Sequence, residues 1–304
     1  MQQFCTENGR NSYIRQFPVM GTAAMFRWNG VSAETAQTAS ERAEQAFAEV
    51  VAIANLRDPE SELSRLNASA YGRDFHCSGK MWAILSEAET AWKVSGGAFD
   101  ITIKPLMDLW GFYRKQSRVP DPESIAEVRK KCGFEKLKLD HRRKTIRFTV
   151  PGMALDLGGI AKGYALELAF EAVEKTVRSG VLDLGGNLKF LMCPPPERTA
   201  YSVAVKDPAQ PGKLLDPLLE VPPAFAVSTS GDYERFVVLE NRRFGHIIDP
   251  ASGIPELKQR SATVICSNAM RADWLSTAFY LRGKDLLKTV QQHYPDCRVI
   301  MAGE

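Results

Sequence analysis

An aspartate and a threonine four residues apart on one helix can hold a cation. In AMRADWLSTAFYL (269–281) the apolar spacing predicts a helix, with Asp273 and Thr277 on one face. A carboxylate and a hydroxyl stacked this way give two hard oxygens to an ion such as Mg²⁺, which completes its shell from backbone carbonyls, water or a substrate phosphate. An exposed Asp beside a Thr bonded back into its own helix would give the same pattern. In ALDLGGIAKGYALELA (154–169) a strand is predicted to end at Asp156-Leu157 and pass through Gly158-Gly159 into a helix containing Lys162 and Gly163. Such a turn offers backbone N–H groups and a cationic side chain to a phosphate. Purely steric needs also place glycines at strand-to-helix junctions.

RRFGHIIDPASGIP (242–255) sets His246 before an apolar pair and a Pro-Gly turn. The other three histidines (His76, His141, His293) stand among charged or turn residues, where solvent reaches them. An imidazole flanked by glycine and isoleucines can titrate near neutrality and act as a general base, or serve as a structural residue on a strand. GGAFDITIKPLMDLWGF (96–112) offers the flat surfaces of Phe99 and Trp110 and the acceptor Asp100 to a ring-shaped ligand. The alternative is a helix terminus followed by a core segment. Neither a G-x-x-x-x-G-K-[ST] loop nor a G-x-G-x-x-G fingerprint is present, which disfavours the common nucleotide-binding folds.

Positioning these groups falls to a mixed set of elements. Helices are predicted over 33–56, 80–94, 160–177, 269–281 and 285–293, and another starts at Asp121-Pro122, an N-cap and first-turn proline, and ends by Gly133. Strands are predicted at 136–140, 145–150, 201–206, 225–229, 235–240 and 261–266. The elements arrive in clusters rather than strict alternation, which points to an α+β arrangement with antiparallel sheet, one unit with two lobes. The proline-rich stretches 192–200 and 207–224 read as surface loops.

The 304 residues suffice for a large core, and 44% hydrophobic with 25% charged residues is an ordinary globular balance. A net charge of +3, with basic residues spread along the chain, gives no reason to propose nucleic acid as a partner. No apolar run is long enough for a transmembrane helix. The start, MQQFCTENGRNSYIRQF, lacks the apolar core of a signal peptide, so two readings stay open: a cytoplasmic protein, or a form whose leader has been removed. The six cysteines, no two closer than 31 residues, read as buried or inert thiols, with Cys5 the exception to watch.

In this order, the segments resemble the ApbE family, the FAD:protein FMN transferases. The resemblance spans nearly the whole chain, from PVMGT (18–22) through DPESELSRLN (58–67), GGAFDITIKPLMDLWGF, LDLGGIAKGYA (155–165), LDLGGNLKF (182–190), STSGDYERF (228–236) and HIIDPASG (246–253) to ADWLSTA (272–278). It implies an ApbE-like, T-fold-related α+β domain over 1–304, with FAD as substrate. It also implies Mg²⁺-dependent transfer of FMN to a threonine hydroxyl of a flavoprotein subunit of a membrane redox complex, AMP leaving. By resemblance, Met20, Ala98-Phe99-Asp100, Asp156, Lys162 and His246-Ile247 contact FAD. Asp273, Thr277 and the Gly159 carbonyl bind Mg²⁺, and His246 activates the acceptor hydroxyl. An extracytoplasmic, periplasmic location is implied by family habit. The chain departs from the family at Gly159, where alanine is usual, at DPASG in place of DPRTG, at Asn187, where many members carry Asp, and at Arg57, where Tyr is frequent. Two alternatives share the same residues: an FAD pyrophosphatase in which water replaces threonine, and a flavin-binding protein without turnover.

Overall fold

The computed structural model describes residues 2–7, 10–113, 118–195, 198–208, 210, 212–231, 236–256 and 260–303. Three strands come first, β1 (Gln2–Glu7), β2 (Arg10–Val19) and β3 (Thr22–Asn29), the last burying Ala24, Phe26 and Trp28 at the two-residue period of a one-sided strand. Helix α1 (Ala33–Ala54) follows, capped by the Ser32 hydroxyl, and it buries Ala36, Ala39, Ala43, Phe47 and Val50. Then come α2 (Glu62–Ser69), β4 (Phe75–His76), α3 (Gly79–Val94), α4 (Lys104–Leu109) and α5 (Pro122–Arg129), the last capped by Asp121. Strands β5 (Leu137–Asp140) and β6 (Thr145–Phe148) lead to α6 (Ala161–Val173).

The second half is richer in strands. It contains β7 (Ser179–Leu184), β8 (Asn187–Phe190), β9 (Tyr201–Val203), β10 (Leu219–Val221), β11 (Ala226–Gly231), β12 (Phe236–Leu239) and β13 (Arg242–Gly245). The short β14 (Ile248–Asp249) and β15 (Ile254–Pro255) precede β16 (Ser261–Cys266), α7 (Ala269–Arg282), α8 (Leu287–His293) and β17 (Arg298–Ala302). Among the described residues, eight strands form one antiparallel sheet in the order β1-β2-β3-β7-β8-β11-β16-β17. Helices α1, α6 and α7 pack in series against it, α1 on β2, α6 on β7 and β8, and α7 on β8, β11 and β16. The architecture is α+β, as expected, with antiparallel strands and packed helices.

Three expectations change. Residues 154–157 are not a strand, because their backbone groups are taken elsewhere: the Asn67 side chain brackets Leu155 through both its N–H (2.7 Å) and its C=O (3.0 Å), and the Asp156 N–H donates to Ile101 O at 2.7 Å. Within the proline-rich stretch 207–224, Leu219–Val221 pairs with β9 over an apolar cluster of Phe190, Tyr201, Val221, Val227 and Ile265. Cys266 and Cys297, expected as free thiols, form a disulfide. Cys132 is buried and Cys77 half-buried, and burial pushes each thiol up to about 12, so both are inert as expected.

Candidate active site

The site is built around α7. Its N-cap is Asn268, whose side chain accepts the Arg271 N–H, and its first turn presses on α6. Gly163 makes that approach close: a Cβ there would lie 2.3 Å from Ala269 O and 2.6 Å from Met270 Cα. The same closeness lets the Gly163 N–H donate to Asp273 Oδ2 at 2.9 Å. Asp273 is 3% exposed, so the solvated-aspartate reading does not hold. Its Oδ1 accepts from Lys162 Nζ at 3.2 Å and from Asn187 Nδ2 at 2.7 Å. Such donors offset the cost of burying a carboxylate.

One turn further along α7, Thr277 faces the Gly158-Gly159 turn. A Cβ on Gly159 would meet Phe99 Cε2 at 3.0 Å and Thr277 Oγ1 at 3.6 Å, so this backbone passes between an aromatic edge and the hydroxyl. Alanine here would press on Phe99, and glycine relieves that contact. Asp156 shapes the turn, its Oδ1 accepting the Gly158 N–H at 2.7 Å while Oδ2 accepts from Tyr113 OH at 2.6 Å. Thus one N–H of the expected anion cradle is bonded to Asp156, and the Gly163 N–H to Asp273.

The segment 98–100 carries the Phe99 ring that meets this turn. Ala98 and Phe99 are buried, and Phe99 sits 6.2 Å from the Trp274 ring. Asp100 is buried too, and its carboxylate faces the fold: Oδ1 accepts from the Thr102 N–H and hydroxyl, and Oδ2 from the Phe134 N–H at 3.0 Å. Burial holds this carboxyl above its ordinary range, against the pull of those bonds. Trp110, offered above as a flat ligand surface, is 2% exposed and donates to Gly253 O at 2.8 Å. It belongs to a separate apolar cluster with Leu106, Leu239, Phe244 and Ile248.

His246 is not on a strand; it follows the last residue of β13, half-buried, between buried Gly245 and Ile247. Its loop is tied down on two sides. Asp249 Oδ1 accepts from Ala251 N–H at 3.1 Å and from Arg282 Nη2 at 3.2 Å, which anchors the loop to the C-terminal end of α7, and Trp110, the residue that caps α4, holds Gly253. Met20 occupies the β2–β3 turn with φ of 50°, followed by Gly21 at 73°, the left-handed pair that suits a two-residue hairpin. That hairpin lies against the β7–β8 turn, since a Cβ on Gly185 would sit 2.5 Å from Thr22 Oγ1, and Asn187 starts β8 just beyond.

The structure therefore brings Phe99, Gly159, Lys162, Asp273 and Thr277 together, with Asp156 shaping the adjoining turn, and places Met20 and His246-Ile247 on separate elements. It adds residues that sequence reasoning did not select as ligands or catalysts: Asn187, Ser228, Ser230 and Ser276, bonded to one another and to Asp273 or Thr277. The donor set fits a hard divalent cation. A buried carboxylate stands one helical turn from a hydroxyl that faces the Gly159 backbone, and each of these groups offers oxygen as its ligand atom.

Comparisons with known proteins bear on the family and the fold. A family model described as the ApbE family matches residues 20–301. The FAD:protein FMN transferase of Haemophilus influenzae is 28% identical over 275 residues, which cover 88% of this chain and 79% of that protein. That of Treponema pallidum is 30% identical over 261 residues, covering 81% and 71%. The crystal structure of the ApbE protein from Thermotoga maritima superposes with a TM-score of 0.85 at 28% identity, over 95% of this chain and 94% of that one.

Proposed function

The chain belongs to the ApbE family, and from that premise we propose that it is an FAD:protein FMN transferase acting on a threonine hydroxyl. The observation that carries the reading is the junction of Asp273, Thr277, Lys162 and the Gly159 backbone at the meeting of α6 and α7. In the reaction the acceptor oxygen bonds to the FMN-side phosphorus of FAD, the bond from that phosphorus to the AMP oxygen breaks, and the hydroxyl proton must be removed.

Each residue has a part in this. Lys162, about a quarter exposed, reaches Asp273 while its ammonium can turn toward a diphosphate at the turn it follows. Asp273, Thr277 and the Gly159 carbonyl would hold Mg²⁺, which when bound supplies charge neutralisation for the diphosphate and the leaving AMP. His246 takes the acceptor proton, its loop fixed by Asp249 and Arg282. Phe99, Met20 and Ile247 contribute apolar surface to the flavin dinucleotide, and the Phe99 ring stands against the Gly159 turn.

The acceptor is a threonine-bearing flavoprotein subunit of a membrane redox complex, and the encounter is extracytoplasmic. The Cys266–Cys297 disulfide supports that location, because such bonds persist in oxidising compartments. Among the described residues no helix is long and apolar enough to cross a membrane.

Intact-mass analysis of a threonine-bearing acceptor domain, incubated with this protein, FAD and Mg²⁺, tests the reading. A gain of one FMN that EDTA abolishes is expected. Asp273→Ala should remove the gain, and His246→Ala should reduce it by about 10²- to 10⁴-fold, the range for a general base, with FAD still bound. Free FMN and AMP without acceptor labelling would instead assign the protein as a pyrophosphatase.

A further inference from the structure

Behind Asp273 and Thr277 lies a line of polar groups from β8, β11 and α7, with Asn187, Ser228 and Ser276 buried and Ser230 half-buried, and their protons can be counted. Ser276 Oγ donates to Asp273 O at 2.8 Å, one turn back on its own helix, so its single proton is spent. Ser230 Oγ and Ser276 Oγ are 2.8 Å apart, and with the Ser276 proton committed, Ser230 is the donor. Ser230 then has no proton left for Thr277, whose Oγ1 stands 3.2 Å away. In that pair Thr277 donates and Ser230 accepts. A second line runs the same way: Ser228 Oγ donates to Asn187 Oδ1 at 2.8 Å, which turns the Asn187 amide nitrogen onto Asp273 Oδ1 at 2.7 Å. Both lines end on Asp273.

We propose that Ser230 is a positioning residue for the cation site: by accepting the Thr277 proton it leaves the lone pairs of Thr277 Oγ1 directed to the Gly159 side, while Ser228 and Asn187 fix the Asp273 carboxylate. A hydroxyl that ligates a cation must point its proton away from the ion. Left to itself, a threonine on a helix turns that proton to the carbonyl four residues back, here that of Asp273, the residue that supplies the carboxylate. Ser230 offers a competing acceptor from the neighbouring strand, and Ser276 occupies the Asp273 carbonyl. Asn187 acts in parallel, as a neutral donor where a second carboxylate would repel the first in the absence of a cation. This inference rests on the Mg²⁺ assignment above.

The test uses Mn²⁺ as the probe, with free ion followed by electron paramagnetic resonance on the full chain, with and without FAD. Ser230→Ala should weaken Mn²⁺ binding about 10- to 100-fold, the usual cost of losing a group that orients a metal ligand. Ser230→Thr, which restores the hydroxyl on a strand that tolerates β-branching, should bind close to wild type. A purely structural role would lower the melting temperature of metal-free Ser230→Ala without moving the Mn²⁺ titration. Should Ser230→Ala not accumulate, Ser230→Cys, with a weaker acceptor of similar size, reads the same quantity and should bind Mn²⁺ more weakly than wild type. Unchanged Mn²⁺ affinity in Ser230→Ala or Ser230→Cys overturns this inference alone. Wild-type protein that binds no Mn²⁺ with FAD present overturns the cation assignment and this inference with it.

Discussion

At Asp100 both carboxylate oxygens are engaged inside the protein, by Thr102 on one side and the Phe134 N–H on the other. Asn at this position has one acceptor oxygen only, so the Phe134 N–H would face an NH₂ group. Leaving it unsatisfied costs about 1–3 kcal/mol. The pH dependence has a definite sign. Burial raises the folded-state pKa of Asp100 above its unfolded value, so its contribution to stability is full below the unfolded pKa and is lost as pH rises through the folded one. Wild type is therefore expected to melt higher than Asp100→Asn, by a margin that is widest in mild acid and narrows toward neutrality. Melting curves of both proteins from pH 4 to 8 measure it, and a margin that grows with pH would contradict a shift governed by burial. Asp100 also shows the reach of sequence reasoning at this scale. Asp273, Thr277 and Lys162 were legible because the chemistry demands those types at that spacing. Ser228, Ser230 and Asn187 were not, because strand pairing brings them to α7 from 46 or more residues away.

Elements with local signals were legible, and those defined by distant pairing were not. Six helices were read from caps and apolar spacing, and α1, α3, α6 and α7 lie within a few residues of their expected bounds, while the short α2 and α4 went unread. Strands β1 to β3 went unread. The turn between β2 and β3 is Met20-Gly21, and a methionine at positive φ hides a hairpin that Asn-Gly would have announced. The α6–α7 contact shows how an element boundary becomes a site. Glycine in a helix interior costs roughly 1 kcal/mol against alanine, so Gly163→Ala on an isolated helix would be favourable. Here the added Cβ would stand 2.3 Å from Ala269 O, a backbone atom that cannot step aside alone. Gly163→Ala is expected to destabilise by about 1–3 kcal/mol as an overpacked contact. It should also lengthen the Gly163–Asp273 bond and raise the Mg²⁺ concentration needed for half-maximal transfer. Thermal melting together with a Mg²⁺ titration of FMN transfer checks both, and a more stable variant would show that α6 and α7 can part without cost.

Across the whole molecule, α7 is held in a covalent loop. Cys266 ends β16, Cys297 stands just before β17, and the 31 residues of separation contain α7 and α8, with Asp273 and Thr277 between the two sulfurs. The flanking strands are themselves paired, Ile265 opposite Arg298, so the bond closes a unit that the sheet has already aligned. No spacing of cysteines in the sequence announced this pairing, because it depends on β16 and β17 being neighbours in the sheet. In the chain-entropy account a loop of this length stabilises the fold by about 3–4 kcal/mol, through the freedom it removes from the unfolded chain. Reductant should therefore lower the melting temperature of the wild-type protein and leave the double variant Cys266→Ala/Cys297→Ala where it was, already lower. Because the loop encloses both proposed side-chain ligands of the cation, Asp273 and Thr277, its opening should also let α7 fray earlier on heating. FMN transfer measured at rising temperature should then fail sooner under reductant in the wild-type protein, and equally soon with or without reductant in the double variant. If reductant leaves the wild-type melt and the temperature limit of transfer unmoved, the two thiols do not form the closure, and sheet pairing alone fixes α7.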